Sequence, residues 1–364
     1  MGLRAALSDV RNRLVANPDF RRKAKANPLT RGQAAKSARA LFDLTAGFVY
    51  SQTLLACVET DLFEFLKSGP KTLNEIADHA GLPPEGAERL ARAAASLGLL
   101  EARGGDRFAL GPLGAPLVND AGLAAMIRHH RLLYQDLSDP LAVLRGETPG
   151  ALAAFWGYGV EAGAAGAAQD YSALMAATLP MVADEIFAAA DLSGRRRLMD
   201  VGGGEGAFVS EVAARAPGLE LALFDLPPVA ERARARLAEK GLAERVAVHA
   251  GSFASDPLPR GADVISLVRI LHDHDDQTVR TLLTACRDAL SPGGRLLIAE
   301  PMAGARGAEP MGEAYFGFYL RAMGKGRPRT AQAIMALVEE AGFSHTRTHR
   351  AQMPLIADIV TAKS

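Results

Sequence analysis

Cysteine is scarce: Cys57 and Cys286 are the two present in 364 residues. Far apart and set among helix formers, they give neither a disulfide framework nor a CxxC metal pattern. That usage suits a reducing cytoplasm, and each reads as a small buried hydrophobe. A charge surplus is lacking too: 41 Lys plus Arg balance 41 Asp plus Glu, so no global field is available to hold nucleic acid. No unbroken run of about 18 apolar residues appears, which argues against a membrane span. No apolar segment follows the Arg-rich N-terminus as a secretory signal would require. Internal repeats are absent. What is there is 49% hydrophobic and 23% charged, a globular composition whose length suggests two domains at ~100–200 residues each.

Residues 1–35 form a basic arm, with Arg4, Arg11, Arg13, Arg21, Arg22, Lys23, Lys25 and Arg31 against Asp9 and Asp19. The arm reads as a solvated helix, or as a segment drawn to an anionic membrane surface at ~1 kcal/mol per basic residue. Residues 36–120 read as one small domain. Leu41, Leu44, Phe48, Leu54, Leu55, Val58, Leu62 and Phe65 recur at helical spacing. Thr72-Leu-Asn-Glu75 has the form of a capping box ahead of a short helix closed by Gly81. Pro83-Pro84 open the next helix, to Ser96. Leu99–Ala102 and Arg107–Leu110, joined by Gly104-Gly105, read as a hairpin. Helix, turn, helix, wing is a winged-helix pattern. Residues 121–190 read as linking helices, and the Ala- and Gly-rich stretch Gly150–Ala168 within them as a helix or loop near the domain junction.

From residue 191 to 364 short apolar strands alternate with helices. Strands are expected at Arg197–Val201, Leu219–Leu226, Arg245–Ala250, Asp263–Ile270 and Arg295–Ala299, with two more at His345–Arg350 and Leu355–Ala362. Helices fit at Phe208–Ala216, Pro228–Lys240 and Asp276–Leu290. This is an α/β pattern with a parallel sheet covered on both faces.

The loop Asp200-Val-Gly202-Gly-Gly204-Glu-Gly206 follows a strand and precedes a helix. Its glycines let a ligand lie against the main chain. On spacing alone the loop also satisfies a dinucleotide fingerprint. Glu205 would repel a pyrophosphate at close range, whereas Asp200 can face the amino and sulfonium cations of S-adenosylmethionine. Asp225, about 20 residues on at a strand's carboxyl end, is placed to accept ribose hydroxyls; its bland role is a helix N-cap. Ser252 and Phe253 follow the third strand, where a ring can stack on adenine. His272, in Leu271-His-Asp-His-Asp-Asp276, follows the fourth strand. Methyl transfer to a neutral hydroxyl needs its proton removed, and an imidazole is a suitable base. Glu300 ends the fifth strand and can orient that imidazole as a triad's third member does, or form a rim salt bridge. Asp275 and Asp276 read as solvated caps, His274 as structural, and no metal is expected. The Met and aromatic stripe of Met311, Tyr315, Phe316, Tyr319 and Met323 reads as core or as the wall of an apolar pocket.

In combination these motifs resemble the small-molecule O-methyltransferases, a winged-helix dimerisation domain followed by a Rossmann-like class I methyltransferase domain. The matching pieces are Asp-Val-Gly-Gly-Gly-x-Gly at 200–206, Phe-Asp-Leu-Pro at 224–227, Leu-His-Asp at 271–273, Ser-Pro-Gly-Gly at 291–294 and Gly-x-x-Arg-Thr at 326–330. The resemblance covers roughly residues 35–362. It implies S-adenosylmethionine as cofactor, S-adenosylhomocysteine as product, a homodimer, and a small apolar substrate. It puts the base on His272, a flanking acid on Glu300, and cofactor contacts on Asp200, Gly202, Gly204, Asp225, Leu226, Ser252, Phe253 and Arg269. Three positions depart from the pattern. Ser252 stands where the family often has Asp, and Val268 where it often has Lys. Ala331-Gln332 stand where a second flanking acid would fall. Segments 42–52 and 267–276 look closest to the hydroxyneurosporene or demethylspheroidene O-methyltransferases of carotenoid synthesis. That likeness implies a cytoplasmic protein associated with the inner face of a photosynthetic membrane. Alternative readings are methylation of a phenolic, polyketide or tetrapyrrole at oxygen or carbon, a nicotinamide-dependent oxidoreductase, and a ligand-sensing winged-helix regulator. The last is disfavoured because the helix after Pro84 carries Arg89 and Arg92 beside Glu85 and Glu88, and no basic face.

Overall fold

The computed structural model describes residues 3–147, 150–156, 179–305, 307–351 and 357–364. It resolves into two compact units, Met1–Asp120 and Ala121–Ser364.

The first unit opens with α1 (Leu3–Ala16), α2 (Pro18–Ala26) and the long α3 (Arg31–Glu59). A left-handed Asp61 (φ 52°) breaks the chain before α4 (Leu62–Leu66). Then come β1 (Lys71–Thr72), α5 (Leu73–Ala80), α6 (Pro84–Ser96), β2 (Leu100–Arg103) and β3 (Arg107–Leu110), the strands in the order β1-β3-β2. The expected capping box is present: Glu75 N–H donates to Thr72 Oγ1 at 3.3 Å, and Thr72 N–H to Glu75 Oε2 at 2.8 Å. Gly81 closes α5 at φ 64°. The small stripe Ala87, Ala91 and Ala94 is buried on α6, as are Ile76 of α5 and Leu100 and Phe108 of the hairpin. Arg89 pairs with Glu85 and Arg92 with Glu88, so both cations of α6 are already engaged.

The apolar periodicity of α3 divides in two. Leu55, Cys57 and Val58 are buried, but Leu41, Phe42, Leu44 and Phe48 are 64–82% exposed. Periodicity marks an apolar face without saying what covers it. By length and mean hydropathy (1.4) α3 is long and apolar enough to cross a membrane, a property hidden by the interruption of its apolar residues in sequence. The burial of its C-terminal end is that of a core helix.

The second unit begins with α7 (Ala121–Asp136), α8 (Pro140–Arg145) and α9 (Ala151–Trp156). Most of the stretch Gly150–Ala168 lies outside the described residues. After helical residues 179–189 the chain runs β4 (Arg197–Val201), α10 (Ala207–Arg215), β5 (Glu220–Asp225), α11 (Pro227–Glu239), β6 (Val246–Ala250), β7 (Ala262–Val268), α12 (Asp276–Ala289) and β8 (Leu290–Glu300). It closes with α13 (Phe316–Met323), α14 (Ala331–Glu340), β9 (Ser344–His349) and β10 (Asp358–Lys363). The seven strands lie in the order β6-β5-β4-β7-β8-β10-β9. β4 to β8 are parallel, and β10 is antiparallel to β8 and β9. β8 starts five residues before the expected Arg295: Ala262 pairs with Leu290, and after an irregularity Val264 pairs with Arg295. Ser291-Pro-Gly-Gly294 is therefore part of the strand's bulged start.

Strand residues alternate between two cores. Met199, Val201, Ile265 and Leu267 pack with Val279, Leu282 and Cys286 of α12 and Ile334 and Val338 of α14. Leu198, Leu223 and Val264 pack with Val182, Ile186, Val209, Val212 and Leu237 on the other face. Each such fully buried side chain contributes ~1.5–3 kcal/mol. A third cluster joins Leu133 of α7 and Leu152 of α9 to Tyr319, Leu320 and Met323 of α13.

Candidate active site

The parallel strands point their carboxyl ends to one edge, where open α/β sheets bind ligands. β4 delivers the glycine turn there. Gly202, Gly204 and Gly206 have φ of 71°, 57° and 81°, which glycine adopts at little cost. A Cβ at Gly203 would lie 2.8 Å from Asp200 Oδ2 and 2.9 Å from Leu223, so the main chain must stay bare there. Asp200 is 1% exposed and accepts from Ser266 Oγ at 2.6 Å. Burial pushes its carboxyl up to about 7, with the Ser266 hydrogen bond opposing and the Asp225 charge adding. Asp225 Oδ2 accepts from Gly204 N–H at 2.8 Å and Oδ1 from Leu226 N–H at 2.7 Å. Burial raises its pKa, while those two hydrogen bonds and Arg232 lower it. Leu226 is the N-cap residue of α11. Glu205 pairs with Arg232 at 3.1 Å, which offsets the repulsion of a pyrophosphate expected from its lone charge.

Past β6, Ser252 N–H donates to Asp256 Oδ2 at 2.7 Å, and Ala254 N–H donates to Ser252 Oγ at 3.3 Å. Asp256, four residues beyond the position where the family often carries an acid, drew no attention in the sequence. Phe253 stands edge-on to His274, centroids 5.3 Å apart. Arg269, left-handed at φ 57°, donates its N–H to Ala299 O at 2.8 Å and so extends the β7–β8 pairing.

A 3₁₀ turn, Leu271–Asp273, carries His272. Nδ1 is hydrogen-bonded to Glu300 Oε2, and Glu300 Oε1 accepts from Ile270 N–H at 2.8 Å and Leu271 N–H at 2.6 Å. One buried carboxylate, 1% exposed, thus shapes the turn and grips the ring. Asp273 Oδ1 lies 3.1 Å from Nε2 without the alignment of a hydrogen bond, and that oxygen is buried with no hydrogen-bond partner. Burial would lower the imidazole pKa; Asp273 and Glu300 outweigh it and raise it to about 10. Asp273 thus brings a second carboxylate to the ring, where Ala331-Gln332 offer none.

The turn is clamped from behind. Arg329, 4% exposed, donates to Leu271 O (2.5 Å), His274 O (2.7 Å) and Asp276 Oδ1 (2.7 Å). Arg327 N–H donates to His272 O at 2.9 Å. A Cβ at Gly326 would overlap His272 O. These contacts account for Gly326 and Arg329 of the Gly-x-x-Arg-Thr motif, and Thr330 caps α14 by accepting from Ala333 N–H at 3.1 Å. They also correct one expectation: Asp275 caps α12, accepting from Thr278 N–H at 2.8 Å, whereas Asp276 is ion-paired to Arg327 and Arg329 and is not a solvated cap.

The aromatic stripe divides as well. Phe316 faces His272, centroids 6.2 Å apart. Met311 and Tyr315 lie on a π-helical turn, Pro310–Tyr315. Tyr319 and Met323 are 6% and 5% exposed in the helical core. Two α7 histidines that sequence reading passed over hold the tyrosines: His130 Nε2 meets Tyr315 OH at 2.9 Å and His129 Nε2 meets Tyr319 OH at 2.7 Å. His130 Nδ1 donates to Met126 O at 2.7 Å, so Tyr315 donates to Nε2. Burial lowers both imidazoles, His129 to about 4, and both are neutral. Among the described residues no group of three or more His, Cys, Asp or Glu is arranged to hold a metal ion.

A seven-stranded sheet in which β10 runs antiparallel to both neighbours, a bare glycine turn after β4 and an acid at the end of β5 define a class I methyltransferase. The O-methyltransferase domain model matches residues 134–344, and the O-methyltransferase dimerisation domain model matches residues 42–120. The demethylspheroidene O-methyltransferase of Cereibacter sphaeroides is 45% identical over 98% of this chain and 95% of its own length. That of Rhodobacter capsulatus is 42% identical over 92% and 84%. Human N-acetylserotonin methyltransferase, solved in complex with S-adenosylmethionine, superposes with a TM-score of 0.76 at 25% identity, covering 90% of this chain and 97% of that one. The chain belongs to the O-methyltransferase family, and is an S-adenosylmethionine-dependent enzyme of that family.

Proposed function

We propose that the chain methylates a hydroxyl of a long apolar carotenoid of the demethylspheroidene type, with His272 as general base and no metal. The observation that carries the base assignment is the His272–Glu300 pair at the edge where β4 and β5 present the glycine turn and Asp225. The identity of 42–45% to demethylspheroidene O-methyltransferases supports the substrate class. The chain's residues fit S-adenosylmethionine: the cradle at Gly203 admits no Cβ, and the two acids nearest it, Asp200 and Asp225, suit a cationic nucleoside bearing two ribose hydroxyls. The cofactor supplies a methyl group on a positively charged sulfur. Asp225 would accept from the ribose, Asp200 would face the cationic end, and Phe253 would lie along the base. Phe316 and Tyr315 wall the approach to His272. With that methyl group transferred to the acceptor oxygen, His272 Nε2 would take the hydroxyl proton while Glu300 holds Nδ1–H. A positioned base contributes ~10²–10⁴-fold, and the alignment of reactants contributes most of the rest.

The reading extends to assembly and place. The exposed apolar face of α3 (Leu41, Phe42, Leu44, Phe48) is covered by a second copy, in line with the dimerisation-domain match. The protein is cytoplasmic, with α1 and α2 resting on an anionic membrane in which its substrate dissolves. Leu7, Val10, Leu14 and Phe20 are exposed beside the basic residues of those helices. The test is mass spectrometry of hydroxylated carotenoids and phenols incubated with enzyme and S-adenosylmethionine. Gain of one methyl on the carotenoids supports the reading, and gain on phenols alone refutes the substrate class. Unchanged co-sedimentation with anionic liposomes after removal of residues 1–30 refutes the membrane contact.

A further inference from the structure

β7 is apolar through its interior, with Val264, Ile265 and Leu267 fully buried, except at Ser266, which is 0% exposed. A buried hydroxyl is unfavourable unless it is bonded, and an alanine would suit the strand at least as well. Its register explains its place. Ser266 is the parallel partner of Asp200 across β4 and β7, and its hydroxyl donates to Oδ1 at 2.6 Å.

We propose that Ser266 is a positioning residue for the cofactor, keeping the buried Asp200 carboxylate ionised and aimed to receive the cationic end of S-adenosylmethionine. The inference rests on reading the glycine crevice as the cofactor site. The elements flanking Asp200 leave few other groups for that task. On the β5 side stands Asp225, whose negative charge favours the protonated form of Asp200. On the β7 side stands Ser266. In the turn itself, Glu205 is occupied by Arg232. Further along the edge, His272 and Glu300 are paired with each other. Burial and Asp225 thus both favour a neutral acid, and the hydroxyl is the group that opposes them. A neutral acid offers a cation no charge to meet; a hydrogen-bonded carboxylate does.

Equilibrium titration of the full chain with S-adenosylmethionine from pH 6 to 9 tests this. Ser266→Ala and the near-isosteric Ser266→Cys, a weak donor, should bind about tenfold more weakly at pH 7. Their deficit should close toward pH 9, where Asp200 ionises without help. Ser266→Thr, which retains a hydroxyl, should restore neutral-pH affinity. Asp200→Asn should bind weakly at every pH. If Ser266→Ala and Ser266→Cys match the wild type at all pH values while Asp200→Asn binds weakly, the role given to Ser266 is wrong and the cofactor site stands. A deficit of equal size at every pH also overturns it, because packing would then be the cause. If Asp200→Asn itself binds like the wild type, the cofactor reading of Asp200 falls first.

Discussion

Replacing Glu300 by glutamine keeps the shape of the side chain and removes its charge. Three donors converge on that carboxylate: the N–H groups of Ile270 and Leu271 on Oε1 and the His272 ring on Oε2. An amide has one oxygen, so either the turn or the imidazole must face an NH₂ group. Removing one partner of a buried charge pair costs ~3–5 kcal/mol. For a unit of this size ~2–4 °C is lost per kcal/mol, so the melting temperature should fall by roughly 6–20 °C. The imidazole also loses one of the two carboxylates that lift its pKa, so the acid limb of the rate profile should move to lower pH. If His272 is the base, its misalignment should lower kcat ~10²-fold, while the affinity for S-adenosylhomocysteine, proposed to bind at β4 and β5, should change little. Calorimetry, product chromatography across pH and equilibrium titration read these effects separately. A Glu300→Gln enzyme with wild-type kcat, an unmoved acid limb and an unchanged melting temperature would refute the reasoning.

The raised His272 pKa has two consequences. As the proposed base, His272 acts only when unprotonated, so kcat/KM should climb with pH well beyond 6.5. In folding, a group raised from 6.5 to about 10 adds stability that is fully present below pH 6.5 and is lost as pH rises through 10. The melting temperature of His272→Gln should therefore depend less on pH across that window; equal slopes would count against it. Arg329→Ala should lower kcat far more than cofactor affinity, and Arg329→Lys should not rescue it, since the clamp uses a planar fork; full rescue by lysine would argue for charge alone. Cys57 and Cys286 are 0% exposed, and burial pushes both thiols up, Cys57 to about 12. Neither should react with a thiol reagent at pH 8 until the chain is denatured; rapid labelling of the native protein would contradict their burial.

Local chemistry was readable in the sequence, and distant pairing was not. The capping box at Thr72 and Glu75, the proline start of α6, the glycine turn and the alternation of strands and helices each depend on residues a few positions apart, and strand and helix ends fell within a residue or two at most places. Ser266 and Asp200 meet only through strand register, 66 residues apart. Arg329 reaches the His272 turn from 58 residues away, and His130 meets Tyr315 across 185. The Gly-x-x-Arg-Thr motif was visible by likeness, but its work as a clamp was not. The apolar stripe of α3 was legible as a stripe; that half of it stands exposed was not, because periodicity does not say what covers an apolar face.

The most direct test is a crystal structure with S-adenosylhomocysteine. The nucleoside should lie along the turn at 202–206, with its ribose on Asp225, its base beside Phe253 and its sulfur on the side of His272 Nε2. A nucleoside bound elsewhere, or an imidazole at 272 turned away from the sulfur, would contradict it.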